Sequence, residues 1–400
     1  MARVRPKLCV SHSVAAITST WEQKMTKLDH VKVLDLSMFL PGPYISSCLA
    51  DFGADIIKVE PPHGDPGQFI GQETQNGQHT LYRNVNRGKK IARVDLKSKI
   101  GQEWLEKKMR SADILVESFR PGVAARLGAD YEAARRINPK IIYCSVSAFG
   151  QNGPLHDKPA HDLALMAMGG ALSNTLGRDG FPAMPGLATA DMLAALNGVN
   201  GVLIALLNRE RSGEGAHIDI SMHHSVMSAL PNVMGFAQIG AQEPSWPDER
   251  STGGSAFYRI YEGSDQLKFV LGAQELHFAE NALAALDLTE FLPLCARGPG
   301  PHQSPLIERL EDIFSKQTRN YWLSFFEDID MSITPVLSMD EAITHPQALA
   351  RGIVVSAGDG YRYIKNPVTF AHDDESTSYA DPIVYGHFND VSWAQDEGDS

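Results

Sequence analysis

Cysteine is scarce in this chain of 400 residues, and the four that occur lie far apart. Cys9, Cys48, Cys144 and Cys295 include no C-x-x-C pair and have no histidine nearby at the spacing of metal ligands. Neither a disulfide framework nor a zinc site is indicated, so we expect no metal cofactor. Sparse thiols of this kind fit the reducing cytoplasm, which is the location we expect.

Long hydrophobic runs and a basic charge balance are also missing. Apolar stretches such as residues 198–207 and 331–337 are much shorter than the ~20 residues that a membrane-spanning helix needs, so we expect no membrane contact. The formal net charge of −12 argues against nucleic-acid binding, because phosphate neutralisation needs a basic surface. An anionic ligand would have to be held by a local basic cluster.

The glycine-rich loop of nucleotide-binding proteins is a third absence. The first predicted strand, residues 31–36, is followed by Pro41-Gly42-Pro43 instead of G-x-G-x-x-G, and the chain contains no P-loop motif. We therefore do not expect NAD as a cofactor.

Strand and helix patterns alternate through the first half of the chain. Strand patterns cover residues 31–36, 54–60, 91–96, 113–117, 140–145 and 216–221, and helical patterns cover residues 44–52, 101–110, 131–137 and 191–211. Such alternation is typical of an α/β fold with a Rossmann-like parallel sheet.

Composition changes divide the chain into three parts. Residues 1–27 are interpreted as an N-terminal extension, and residues 28–225 together with 350–400 are expected to form a large α/β domain. Residues 226–349 are expected to contain a linker and a smaller α+β domain, because residues 240–254 are rich in glycine, proline and serine. The acidic tail after Asp373 is predicted to be loosely held.

Two basic clusters lie near predicted strand ends. The first consists of Arg87, Lys89 and Lys90 before a strand, and the second of Arg120 and Arg126 after Glu117. Clusters in these places could hold a polyanionic ligand through charge-assisted hydrogen bonds. The alternative is ordinary solvated charge.

Four further residues are candidates for chemistry: His161 and Asp162 in a Pro-Ala-His-Asp sequence, Asp191, and Glu275 in Gly-Ala-Gln-Glu. Each also has a structural interpretation. Asp191 could be a helix N-cap, His161 a buried imidazole, and Glu275 an acid in the first turn of a helix.

Short motifs in a fixed order then carry a resemblance that extends from Lys32 to about Gly352. They are Leu40-Pro-Gly-Pro43, Asp51-Phe-Gly-Ala-Asp55, Lys58-Val-Glu-Pro-Pro62, Asp95-Leu-Lys97, Phe119-Arg-Pro-Gly122, Phe149-Gly-Gln-Asn-Gly-Pro154 and Thr334-Pro-Val336. With these motifs the sequence resembles the class III CoA-transferase family, which includes formyl-CoA and carnitine CoA-transferases and, on the same fold, α-methylacyl-CoA racemases.

The resemblance implies a role for each candidate. Asp191 falls where the transferases have a nucleophilic aspartate and the racemases an acid/base aspartate. His161, followed by Asp162, matches the racemase histidine, and Glu275 matches a glutamate that supports it. Arg126 falls where both branches have an arginine near the CoA phosphates. From the two basic clusters, Arg120, Lys89, Lys90 and Arg87 are added as candidate CoA-binding residues of the large domain.

The resemblance also implies an interlocked homodimer in which Glu275 reaches His161 of the other chain. The function favoured is racemisation of 2-methylacyl-CoA by proton transfer through His161 and Asp191. The first alternative is a CoA-transferase that moves CoA between carboxylic acids through covalent intermediates at Asp191, favoured by Met192-Leu-Ala-Ala195 in place of the racemase glycines. The second is a CoA-binding protein without catalysis.

Overall fold

The computed structural model describes residues 27–357, 359–370 and 383–394. Nearly all of the expected N-terminal extension, with Cys9, and part of the acidic tail lie outside the described residues.

Strands and helices alternate as expected. In the described part of the chain the strands are β1 (Lys32–Asp35), β2 (Asp55–Glu60), β3 (Lys90–Arg93), β4 (Ile114–Glu117), β5 (Ile142–Ser147), β6 (Ala216–Ser221), β7 (Tyr258–Glu262), β8 (Lys268–Gly272), β9 (Ile333–Pro335), β10 (Val354–Ser356), β11 (Arg362–Ile364) and β12 (Val384–Gly386). The α-helices there are α1 (Pro41–Ala50), α2 (Thr80–Asn86), α3 (Lys99–Ser111), α4 (Val123–Arg126), α5 (Tyr131–Ile137), α6 (Asp162–Met168), α7 (Ala171–Asn174), α8 (Thr189–Ser212), α9 (Met222–Ser228), α10 (Gly235–Gln238), α11 (Leu276–Ala285), α12 (Leu292–Ala296), α13 (Ser304–Phe314), α14 (Arg319–Phe325), α15 (Met339–Thr344) and α16 (Pro346–Ala350).

Seven strands form one parallel sheet in the order β12-β3-β2-β1-β4-β5-β6. Successive side chains of β1 point to opposite faces, so Val33 belongs to one buried cluster and Leu34 to another. Both faces are covered, which explains why the central strands have almost continuous apolar sequences. The expectation of an α/β fold with a parallel sheet is confirmed.

The sheet order reverses at β1, since β2 lies on one side of it and β4 on the other. Ligands of open parallel sheets bind beside the carboxyl ends of the strands at such a switch point. The loop between β1 and α1 lies there. The predicted turn at residues 41–43 is instead the first turn of α1, because proline lacks an N–H that this position would leave unpaired anyway.

The acidic tail differs from its prediction within residues 383–394. β12 pairs with the edge strand β3, and the Trp393 side chain is buried against the sheet. Lys90 Nζ donates to the Ser392 carbonyl at 3.0 Å, and the Ala394 N–H donates to Asp55 at 2.6 Å. Acidic composition concealed this strand, so the prediction of a loosely held tail was wrong for this segment.

One described helix, α8, is long and apolar enough to cross a membrane when judged by length and composition alone. The apolar stretch at residues 198–207 had not indicated this, because it covers less than half of α8. Its inward residues, among them Ala194 and Val202, pack against the large sheet, a position in which core helices of globular proteins pass the same test.

A smaller antiparallel sheet has the order β7-β8-β9. It packs on α11, α13 and α14 around an aromatic centre that includes Tyr261, Phe269 and Phe314. The chain then returns to the large sheet, where Arg83 of α2 bonds Asp359 at 2.6 Å and Tyr363 at 2.8 Å. These bonds anchor the hairpin β10-β11 to α2.

Candidate active site

Asp191 lies in the first turn of α8, which begins at Thr189. The N-cap residue, Ala188, offers no side-chain acceptor to the exposed N–H groups of that turn. Asp162 supplies it from α6: its Oδ1 accepts the N–H of Ala190 at 2.6 Å and that of Asp191 at 3.2 Å. Asp191 is therefore not the cap, and the capping acid is the residue next to His161.

The environment of the Asp191 carboxyl disfavours its charge. Desolvation raises its pKa most, the nearby Asp162 carboxylate raises it further, and His161 lowers it, with a result of about 6. Desolvation and a like charge are the usual means of tuning a carboxyl toward neutral pH. Asp191 is thus ionised at pH 7 but far more basic than a solvated aspartate, which suits both proton abstraction and nucleophilic attack.

His161 precedes α6 as its N-cap residue, and its side chain is exposed. The structure therefore does not support the interpretation of a buried imidazole. Its position beside Asp162 brings it within electrostatic range of Asp191. His161, Asp162 and Asp191 form one group at the junction of α6 and α8.

Glu275 lies elsewhere, at the N-cap position of α11, where its side chain makes no capping bond. It lines a cavity of about 870 Å³. The other lining residues come from residues 232–258 and from Gly272 and Gln274. His161, Asp162 and Asp191 are not among them, so this cavity of a single chain contains Glu275 without the other three.

Lys89 has no exposed side-chain surface. Its Nζ donates to Asp35 at 3.0 Å, to the Pro43 carbonyl at 2.8 Å and to Asn86 at 3.0 Å, which uses all three of its protons. A lysine bonded in this way holds the β1–α1 loop. Its proposed part in CoA binding finds no support in this geometry.

Arg87 and Lys90 are also engaged within the protein. The Arg87 guanidinium donates to both oxygens of Asp51, at 2.6 Å to the nearer one, and Asn366 donates to the same carboxylate at 3.2 Å. Lys90 forms an ion pair with Asp55 at 3.1 Å. Arg87 therefore joins the end of α2 to the end of α1, and Lys90 connects β3 to β2 and to the C-terminal segment.

Arg120 and Arg126 differ from these three. Both are exposed, and neither has an ion-pair partner within the ranges that the structure describes. They follow β4 on the side of the sheet where parallel strands end, next to the switch point. Of the five predicted CoA-binding residues, these two are placed to meet an external anion.

Sequence reasoning missed the acids that neutralise the first basic cluster. Asp35 and Asp51 were not singled out, although each lies in a quoted strand or motif, because a pairing between residues 54 positions apart leaves no local pattern. It also missed Arg250, Trp246 and Tyr258 in the wall of the large cavity. Their segment was noted only for its linker-like composition.

Comparison with known proteins identifies the family. The model for CoA-transferase family III matches residues 28–387. An acetyl-CoA:oxalate CoA-transferase of Acetobacter aceti is 34% identical over 87% of this chain and 90% of the relative. An alpha-methylacyl-CoA racemase of Mus musculus is 30% identical over 82% of each chain. A crystal structure of a CAIB/BAIF family protein from Brucella suis superposes with a TM-score of 0.78 at 27% identity, covering 90% of this chain and 96% of that one.

The chain belongs to CoA-transferase family III. It is an enzyme of that family, whose named relatives include both CoA-transferases and racemases. CoA-linked substrates follow from this membership, which confirms the resemblance and removes the alternative of a protein without catalysis.

Proposed function

We propose that this enzyme epimerises 2-methylacyl-CoA thioesters and that Asp191 and His161 exchange the α-proton. The observation that carries the proposal is the Asp191 carboxyl, half-buried beside Asp162, with a pKa of about 6 and an imidazole nearby. Such a carboxyl removes a proton at neutral pH more readily than a solvated aspartate does.

The chemistry needs one base on each face of the α-carbon. One base takes the α-proton, the electron pair moves into the thioester carbonyl as an enolate, and the other group returns a proton to the opposite face. Asp191 and the exposed His161 would fill these places. Glu275 of a second chain would orient the imidazole and balance its charge when it is protonated.

CoA transfer is the second candidate, and the acetyl-CoA:oxalate CoA-transferase at 34% identity favours it. Here the Asp191 carboxylate attacks the thioester carbonyl, the C–S bond breaks, and the CoA thiolate leaves as a mixed anhydride forms. The thiolate then attacks the Asp191 carbonyl of the anhydride, which releases the donor acid and leaves a CoA thioester on Asp191. The acceptor carboxylate displaces the thiolate to form a second anhydride, and attack of the thiolate on the acceptor carbonyl gives the new acyl-CoA and frees Asp191. His161 would not be required as a base in this sequence.

A homodimer would complete the site in either case. Leu196, Leu203, Ile204 and Leu207 form one exposed apolar stripe along α8, with Ile204 69% exposed. A stripe of this kind is typical of an interaction surface. We propose that a second copy covers it and supplies Glu275, in a cytoplasmic enzyme. Light scattering should then give a solution mass near twice the 43.7 kDa of one chain.

The two mechanisms separate in deuterated water with (S)- or (R)-2-methylacyl-CoA and no added carboxylic acid. Epimerisation predicts deuterium at the α-carbon together with loss of optical purity. Transfer predicts no exchange, and CoA appears on oxalate, succinate or glutarate once the acid is added. A covalent Asp191 adduct detected by mass spectrometry, without α-deuterium uptake, would overturn the racemase proposal.

His161→Ala is the informative variant, and His156→Ala is its matched control, since His156 is also exposed but lies outside the group around Asp191. An epimerase should lose inversion in the first variant and keep it in the second. A transferase should retain much of its CoA transfer in both.

A further inference from the structure

A second, smaller cavity of about 160 Å³ adjoins the one that Glu275 lines. It lies within the unit that carries the small sheet. Its apolar walls come from residues next to β7 and β8, from α11, and from the end of α12 with the loop that follows: Phe257, Ala273, Leu276, Ala279, Cys295, Ala296 and Pro299. The two cavities share only Arg250 and Gln274, so these two side chains form the wall between them.

The buried polar side chain in the wall of this side cavity is bonded to the protein backbone. Gln303 is buried, and its amide accepts the Ala256 N–H at 2.9 Å and donates to the Gly298 carbonyl at 2.7 Å. Most of the lining side chains are apolar, so a hydrocarbon group is the occupant that this cavity favours.

The wall between the two cavities depends on one hydrogen bond, in which the charged Arg250 side chain has a neutral partner. The Arg250 guanidinium donates from Nε to Gln274 Oε1, and within the described residues it has no carboxylate within ion-pair distance. Arg250 is exposed on its other side. A single bond between a guanidinium and an amide is cheap to break when both groups can turn to water.

We propose that the side cavity is a terminal subsite for the apolar end of the acyl group and that Arg250 and Gln274 form its gate. This proposal rests on the proposed acyl-CoA activity, which places the thioester near Glu275, the residue next to Gln274 in sequence. A cavity of about 150 Å³ accommodates benzene, so this one has room for about six carbon atoms. Acyl groups too long for the large cavity would extend through the gate.

Benzene tests the subsite without any turnover. It should raise the melting temperature of the wild-type protein, because it binds only the native state. Ala279→Leu places a larger side chain in the cavity and should abolish that shift. Ala284→Leu makes the same change at an exposed position of the same helix and should preserve it. An equal shift in all three proteins, or none in the wild type, would refute a benzene-sized apolar subsite at this position.

Cys295 reports occupancy in the unmodified protein, which covers the case in which Ala279→Leu fails to fold. The thiol lines the side cavity, and methyl methanethiosulfonate is small enough to reach it. Benzene and long acyl-CoAs should slow its labelling, measured peptide by peptide, while labelling of Cys48 stays constant. Unchanged labelling of Cys295 would contradict the proposal.

The gate is tested with a 2-methylacyl-CoA series from four to twelve chain carbons, using dissociation constants from calorimetry. Each methylene buried in an apolar site should strengthen binding about threefold to fourfold. The gain should continue to longer chains in Gln274→Ala and stop earlier in Ala279→Leu than in the wild type. Identical chain-length profiles would refute the gate. If no acyl-CoA binds at all, the proposed activity fails instead, and the benzene result still decides whether the cavity accepts apolar groups.

Discussion

Two aspartates beside the large sheet have pKa values that are shifted in opposite directions. Asp35, at the end of β1, is fully buried, and although desolvation by itself raises its pKa, Lys89, Lys58 and two serine hydroxyls hold it well below the ordinary value. Asp191, at the start of α8, is only half-buried, yet its pKa is raised, because desolvation and the Asp162 carboxylate both raise it and His161 only partly opposes them. Burial alone therefore does not tell a structural acid from a reactive one; the charge of its partners does.

The cations also divide into those that form internal ion pairs and those that do not. Lys58 pairs with Asp65 at 3.0 Å and donates to the Ser37 carbonyl at 2.7 Å, while Lys89 pairs with Asp35. Asp65 in turn accepts the N–H of Phe39, whose φ of 65° is unusual for a residue other than glycine. Paired charges thus fix the loop at the switch point, whereas Asp191 and Arg126, which form no ion pair with any described residue, are groups that we propose act on the substrate.

The largest loss of stability should come from breaking the buried ion pair between Lys89 and Asp35. Lys89→Met leaves Asp35 buried without its main counter-charge, which typically costs about 3–5 kcal/mol. Lys99→Met removes a lysine whose side chain is 90% exposed and should change the free energy of unfolding by less than about 1 kcal/mol. Urea unfolding of both variants measures the difference. A loss below about 1 kcal/mol in Lys89→Met would show that the network is not structural.

Asp191→Asn should increase the free energy of unfolding, whereas Lys89→Met should decrease it. Because the native pKa of about 6 exceeds the ordinary aspartate value of 3.8, the native state binds more protons than the unfolded state between these values, and stability falls as pH rises through them. Asparagine removes that penalty, so the variant should be more stable than wild type by roughly 1–3 kcal/mol at pH 7 and by little at pH 4. It should also be inactive. Thermal unfolding at both pH values tests this, with Asp157→Asn as the exposed control; a gain that does not depend on pH would contradict the raised pKa.

Replacing Arg126 should change the stability of the fold little and should weaken the binding of CoA. Arg126→Ala should weaken CoA binding about tenfold at low salt, because an exposed guanidinium without an internal partner can bond a phosphate. Arg110→Ala is the matched control, since Arg110 is also exposed but precedes β4, on the side of the sheet where the strands begin. Calorimetry with CoA at two salt concentrations measures both. Equal weakening in the two variants would mean that general charge, not this position, attracts CoA.

Local patterns were enough for six of the seven strands of the large sheet, all except β12. The predicted strand 216–221 and helix 131–137 coincide with β6 and α5, because hydrophobic periodicity and turn residues specify such elements within a few positions. The site was only partly predictable. Resemblance selected Asp191, His161, Asp162 and Glu275, but the capping bond from Asp162 and the separation of Glu275 depend on tertiary packing. The division of five cations into paired and unpaired is equally non-local.

Asp162 both caps α8 and raises the pKa of Asp191, and one substitution can separate these two roles. Asp162→Asn keeps an amide oxygen that can accept the Ala190 and Asp191 N–H groups but removes the negative charge that raises the Asp191 pKa. The acid limb of kcat/KM, which falls as Asp191 is protonated, should therefore move to lower pH, while the rate at pH 8 changes little. Asp162→Ala removes the cap as well, which typically costs about 1 kcal/mol of stability, so it should show the same shift of the acid limb together with a lower melting temperature. If Asp162→Asn leaves the acid limb in place, desolvation alone sets the pKa of Asp191, and Asp162 serves the helix rather than the chemistry.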